Sequence, residues 1–106
     1  MRIDLNELNE ITKSCVENGV GLISNRSFKY KNYQVTVYRI YSDSFIGMHE
    51  ADDEFIYVLE GNGYIFYDGN KDALYPGIIY FTEKGRELSI TSTDPEELVI
   101  LEIKKL

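Results

Sequence analysis

This chain of 106 residues is short of features that several protein classes require. It has one cysteine, Cys15, so it forms no internal disulfide and no cysteine-based zinc cluster. That usage suits a reducing compartment, and a cytoplasmic location is expected. No apolar stretch approaches the roughly 20 residues that a membrane-spanning helix needs. The opening "MRIDLNELNE" is too polar for a signal peptide. Positive charge is also scarce: eleven Lys and Arg against eighteen Asp and Glu give a net charge of −7. The basic residues are scattered, with no stripe to offset that field, so neither nucleic acid nor an anionic membrane is an expected partner. A neutral or cationic small molecule, or another protein, fits the charge better.

What is present describes an ordinary globular chain, with 43% hydrophobic and 13% aromatic residues. The length matches one compact domain that can bury a core without staples. We therefore expect a single domain over 1–106, divided into an N-terminal helix within 1–19 and a β-barrel over 20–106. The helix is predicted from Asp4 to Asn18, where Leu5, Leu8, Ile11, Cys15 and Val16 recur at three- and four-residue steps. Asp4 is its cap, Glu7 stands at the capping-box spacing, and Asn18-Gly19 is the stop signal. Cys15 lies on the apolar stripe, where a small buried thiol is the simplest reading.

Beyond Gly19 the chain reads as short strands separated by turn chemistry. "YQVTVYRIY" (33–41), "EFIYVLE" (54–60) and "YIFY" (64–67) are rich in β-branched and aromatic residues. "YPGIIYF" (75–81), "ELSIT" (87–91) and "ELVILEI" (97–103) follow. Asp68-Gly69 is a type I′ hairpin signal, and Lys84-Gly85 and Asp94-Pro95 are further breaks. Such spacing predicts an antiparallel sandwich or small barrel. Several strands are apolar on both faces: Ile56 and Val58 point one way while Phe55, Tyr57 and Leu59 point the other. A strand of that kind needs two covers. One is the barrel interior; the other is the N-terminal helix, a partner subunit, or both.

The runs "HEADDEFIYVLEGNG" and "LYPGIIYFTEKGRELSI" resemble the two motifs of small single-domain cupins. Glu54 and Gly61 have the glutamate-to-glycine spacing of the first motif, and Pro76-Gly77 and Gly85 match the second. The resemblance covers residues 33 to about 103. It implies an all-β fold, the antiparallel double-stranded β-helix of a cupin or jelly-roll barrel, here with one N-terminal α-helix. It also implies a cavity in which three histidines and a glutamate hold a metal. In this chain His49 takes the second histidine position and Glu54 the glutamate position, while the first histidine position falls on Gly47. The third falls on Leu88, and alternation in "RELSITS" independently turns Leu88 and Ile90 inward. A metal, if present, has only His49 and Glu54 as ligands, fewer than the three protein ligands such sites normally have. No cofactor is therefore expected.

His49 and Glu54 on one cavity wall form a polar pair able to orient a ligand or to move a proton. A carboxylate beside an imidazole favours the charged imidazolium. Nine tyrosines supply apolar faces with hydroxyl tips, and Tyr38 is a candidate cavity residue among several on predicted strands. Arg39 is a further candidate, able to meet a carboxylate or phosphate. The expected ligand site is thus Gly47, His49, Glu54 and Leu88 with Tyr38 and Arg39, taking a small organic molecule in a metal-free barrel for sensing, sequestration or delivery. The alternative is a cupin-type enzyme (an isomerase, epimerase or oxygenase) using His49 and Glu54 as candidate catalytic residues. Apolar outer faces on 54–59, 78–81 and 98–103 predict a homodimer.

Overall fold

Ten segments, most of them rich in β-branched and aromatic residues, become strands in the computed structural model, which describes residues 2–14, 19–93, 95 and 97–106. They are β1 (Ile11–Ser14), β2 (Leu22–Tyr30), β3 (Tyr33–Ile40), β4 (Phe45–Glu50) and β5 (Glu54–Glu60). There follow β6 (Gly63–Tyr67), β7 (Asn70–Leu74), β8 (Ile79–Thr82), β9 (Glu87–Ser92) and β10 (Leu98–Lys105). A six-stranded sheet has the order β1-β2-β3-β10-β5-β8, and a four-stranded sheet the order β4-β9-β6-β7. Neighbouring strands run antiparallel in both sheets.

The core lies between the two sheets. Ile40, Ile56, Val58 and Ile100 project from the large sheet, each no more than 1% exposed. Ile65, Leu74, Leu88 and Ile90 meet them from the small sheet, none more than 3% exposed. Complete burial of one such side chain stabilises the fold by about 2 kcal/mol, so this layer is the main reason the sheets stay together.

Turn chemistry sets the connections. Asp68 and Gly69 both have positive φ (49° and 82°), the requirement of a type I′ turn, and they join β6 to β7 with Tyr67 opposite Asn70. Gly61, just after β5, has φ of +80°, and a Cβ there would sit 1.7 Å from the carbonyl oxygen of Glu97. Only glycine lets the chain leave β5 beside the start of β10.

The predicted N-terminal α-helix is corrected by the structure. Asp4 does cap a turn, its Oδ1 accepting from the Asn6 amide at 2.9 Å, but the turn is 3₁₀ and covers only Leu5–Glu7. The backbone is already extended at Leu8, and Ile11–Ser14 then pairs with Leu22–Asn25 as the edge strand β1. Asn6, Asn9, Thr12 and Ser14 are weak helix formers, and a short isolated helix starts from a costly nucleus. The open edge of β2 offers the same backbone groups ready-made partners. The remainder of the predicted helix, Cys15 included, lies outside the described residues. Among the described residues no helix is long and apolar enough to cross a membrane.

Candidate functional site

Side chains on the inner face of the large sheet change character towards one end of the barrel. Along β10 the inward residues run Leu98, Ile100, Glu102 and Lys104, so the strand begins in the core and finishes in charge. Glu54 opens β5 opposite Lys104, and Glu102 stands opposite Ile56, which makes the two glutamates diagonal neighbours on adjacent strands. Tyr38 on β3 faces the same space, opposite Ile100. All three are half-buried.

The carboxyl groups of Glu54 and Glu102 share one half-buried space on adjacent strands, and since ionised carboxylates only accept, a hydrogen bond between them requires a proton. Burial is the main cause that pushes Glu54 up, to about 9; the charge of Glu102, the bond to it and Asp52 add to this, and Lys104 opposes it. Burial also raises Glu102, against the bond to Glu54, Lys104 and His49. At neutral pH Glu54 therefore keeps its proton, beside a Glu102 carboxyl that is itself raised. Tyr38 answers to the same surroundings: burial, then the nearby Glu102 and Glu54, hold its phenol well above the ordinary range. Lys104 does not neutralise the pair outright, because its ammonium is ion-paired with Asp52 at 2.9 Å.

The small sheet contributes His49 and Leu88. β4 carries a bulge: Ile46 stands opposite Ile90, yet His49, three residues on, stands opposite Leu88, two residues back. Without the extra residue, strict alternation would turn Met48 inward and His49 outward; the bulge reverses that. His49 thus shares a face with Leu88, which is 2% exposed. The imidazole itself is exposed at the open end of the barrel, and its Nδ1–H donates to the Gly47 carbonyl at 2.8 Å. That leaves Nε2 as the free ring position. Gly47 is buried. Across the strands from them, Tyr67 opposite Leu88 and Tyr80 opposite Ile56 pack edge to face, with ring centroids 5.7 Å apart, and Tyr80 donates to Asp72 at 2.9 Å.

The structure brings Gly47, His49, Glu54, Leu88 and Tyr38 to one end of the inter-sheet space. It does not bring Arg39 there. Arg39 follows Tyr38 directly and so points to the opposite face of the large sheet, where it is ion-paired with Glu97. It lines a different cavity with Glu10, Ser24, Arg26, Val37 and Val99, of about 20 Å3, room for one water molecule. The pairing expected between Glu54 and His49 is replaced by the one between Glu54 and Glu102. The sequence reading missed Glu102, although one signal was available: it is the single charged residue within the apolar run "LVILEI". The acidic turn before β5 is occupied structurally. Asp53 accepts from the Lys84 amide at 2.8 Å, and Thr82 Oγ1 donates to the Asp52 carbonyl at 2.8 Å. Among the described residues no three His, Cys, Asp or Glu side chains form a set able to hold a metal ion.

No family model and no curated protein sequence matches the chain. Solved structures do. The chain superposes with a TM-score of 0.87 on a predicted oxalate decarboxylase from Thermotoga maritima, at 23% identity over 100% of both chains. A cupin-2 domain-containing protein from Shewanella frigidimarina gives 0.65 at 25% identity, over 77% of this chain and 79% of that one. A cupin 2 conserved barrel domain protein from Rhodopseudomonas palustris gives 0.81 at 6% identity, over 99% of this chain and 78% of that one. At these identities the likeness is one of architecture, and the two antiparallel sheets are those of a cupin fold.

Proposed function

We propose that this chain is a small-molecule-binding cupin-like barrel whose ligand site is the end of the inter-sheet space around Glu54, Glu102, Tyr38, His49 and Leu88. One observation carries the reading. Two half-buried glutamates, Glu54 and Glu102, stand as diagonal neighbours on adjacent strands where a hydrocarbon pair would pack at lower cost. Groups that oppose stability in this way cluster at functional sites. The pair offers one donor and several acceptors, Tyr38 adds a hydroxyl, and Leu88 supplies an apolar wall, which is the usual composition of a small-molecule site.

The ligand class follows from the charges. Two carboxyl groups beside a lysine already engaged by Asp52 favour an uncharged polar or cationic organic molecule over an anion. The three-imidazole, one-carboxylate metal set implied by the sequence resemblance does not fit these residues. Gly47 offers no side chain, Leu88 offers hydrocarbon, and Glu54 is held protonated beside Glu102.

A second reading, a proton-transfer enzyme, is favoured by the same pair. Two carboxyl groups side by side, one of them protonated, are a ready acid and base for isomerisation or epimerisation. The two readings separate in one experiment. Small uncharged and cationic organic molecules are screened by thermal shift on the full chain, and each hit is repeated on Glu54→Gln and Glu102→Gln. Hits lost in both variants support this site; hits indifferent to both place binding elsewhere. Incubating a true hit with the protein in heavy water then decides for catalysis if carbon-bound hydrogen exchanges, and for binding alone if it does not.

A further inference from the structure

Arg39, which the structure places away from the barrel end, belongs to a second polar cluster on the outer face of the large sheet. Ser24 on β2 stands directly opposite Arg39 on β3, and Arg26, two residues further along β2, stands opposite Val37. The two arginines are thus diagonal neighbours on one face, where like charges repel unless anions stand with them. Two carboxylates do. Glu97 pairs with Arg39, and Glu10 with Arg26 at 2.7 Å. They are held differently. Glu97 immediately precedes β10 and is fixed by that strand. Glu10 comes from the N-terminal segment, of which no residue from 2 to 10 is buried. Side chains attach that segment to the sheet: Arg26 donates to Asn6 at 3.5 Å and to Glu10 at 2.7 Å, and the Tyr41 hydroxyl donates to Glu10 at 3.5 Å.

Glu10 uses only part of what Arg26 offers. A guanidinium matches a carboxylate best when two parallel N–H groups meet both oxygens. Here Nη2 donates to Glu10, while Nε is buried and has no partner. A buried donor left unpaired is rare in a folded protein and asks for a reason. The cavity of about 20 Å3 that this arginine lines with Ser24 and Arg39 has room for one further oxygen atom. Ser24 is 2% exposed and sets a hydroxyl at its floor. The surroundings already favour a carboxylate: a hydrogen bond from Ser24 first, then Arg26 and Arg39, hold Glu10 below the ordinary range.

We infer that Ser24, Arg26 and Arg39 form a carboxylate-binding site, separate from the barrel end, which Glu10 fills in cis and which a small free monocarboxylate takes in its place, with its two oxygens on Nε and Nη2 of Arg26. The planar fork selects a carboxylate. Exchanging one carboxylate for another also leaves the charge of the site unchanged, which matters in a chain of net charge −7 with Glu97 and Glu60 close to Arg39. A phosphate dianion would add charge there. The small cavity admits an oxygen and no larger group, so the body of the ligand lies where Glu10 now lies, and residues 2–10 must lift to admit it. Ligand and segment therefore exclude each other, and the tethered Glu10 is a competitor at high effective concentration.

Sodium acetate is the probe, titrated into the full chain against sodium chloride at equal ionic strength. The Arg26 Nε–Hε and Ser24 amide signals are followed by NMR. The parent chain is expected to give saturable shifts of both, with the Asn6 amide moving as the segment lifts. Glu10→Ala removes the competitor and is expected to bind acetate at least about tenfold more tightly. Adding Arg26→Lys, which keeps the charge and loses the fork, is expected to abolish the saturable Ser24 shift. An ion pair with a purely structural role predicts otherwise: Glu10→Ala is less stable, and acetate moves its signals no more than chloride does. That result overturns the inference. So does a parent chain with no saturable shift, because the site then belongs to Glu10 alone, and so does tighter binding of inorganic phosphate than of acetate. If Glu10→Ala does not fold, Glu10→Gln takes its place, and acetate binding no tighter than in the parent overturns the inference.

Discussion

Replacing Glu54 by glutamine isolates the carboxyl pair as a source of pH-dependent stability. Glu54 is raised from 4.5 to about 9 in the folded chain, first by burial and then by Glu102. A carboxyl raised on folding binds its proton more tightly in the native state than in the unfolded one. Its stabilising share is therefore complete below pH 4.5 and is lost as pH rises towards 9. Between 4.5 and pH 7 an unscreened shift of this size is about 3 kcal/mol. The barrel end is open to solvent, and screening there reduces this to about 1 kcal/mol. In Glu54→Gln the titrating group is gone, and the amide remains a donor beside Glu102. The expected outcome is equal stability at pH 4.5 and a variant more stable by about 1 kcal/mol at pH 7, or a melting temperature higher by about 5 °C. Urea unfolding at several pH values and one fixed protein concentration measures it. Glu10 is lowered, by a hydrogen bond from Ser24 first and by Arg26 after it, so its titration runs in the opposite sense. Parallel stability curves from pH 5 to 9 for parent and variant would refute the proton held on Glu54.

Gly61→Ala is expected to destabilise the fold by several kcal/mol or to prevent folding, because a Cβ there meets the Glu97 carbonyl at 1.7 Å and φ is +80°; thermal unfolding checks it, and a shift within error would contradict the turn geometry. Purified full chain is expected to carry well under one equivalent of transition metal, because Gly47 and Leu88 stand at two ligand positions of the motif. Elemental analysis finding about one tightly held metal per chain, lost in His49→Ala, would overturn the metal-free reading.

The strands were legible because their cause is local. β-Branched and aromatic runs identify β3, β5 and β6, and Asp68-Gly69 the turn that follows, without any knowledge of the fold, whereas β7 (Asn70–Leu74) has no such residue and was not read as a strand. The N-terminal segment was not legible, because Leu5, Leu8 and Ile11 satisfy a helical spacing while the competing partner, the edge of β2, is a tertiary fact. The alternation that turned Leu88 inward works because Glu87 and Leu88 differ in polarity. It fails on β10, where Val99, Leu101 and Ile103 are as apolar as Leu98 and Ile100, so polarity alone does not say which face Glu102 joins. It fails on β4 for another reason: the bulge between Ile46 and His49 resets the period. Arg39 could have been rejected from sequence. Adjacent residues on one strand face opposite ways, and Tyr38 and Arg39 cannot both enter one cavity.

That same alternation divides the large sheet into two faces. On β10 the even-numbered residues carry Glu102 and Lys104 into the barrel end, and the odd-numbered ones carry Leu101, Ile103 and Lys105 to the outer face. Glu54 and Phe55 divide β5 in the same manner. Glu54→Gln therefore changes charge on the inner face alone, and Lys105→Glu, on the outer face, is its control: ligand hits lost in Glu54→Gln and kept in Lys105→Glu trace binding to the barrel end.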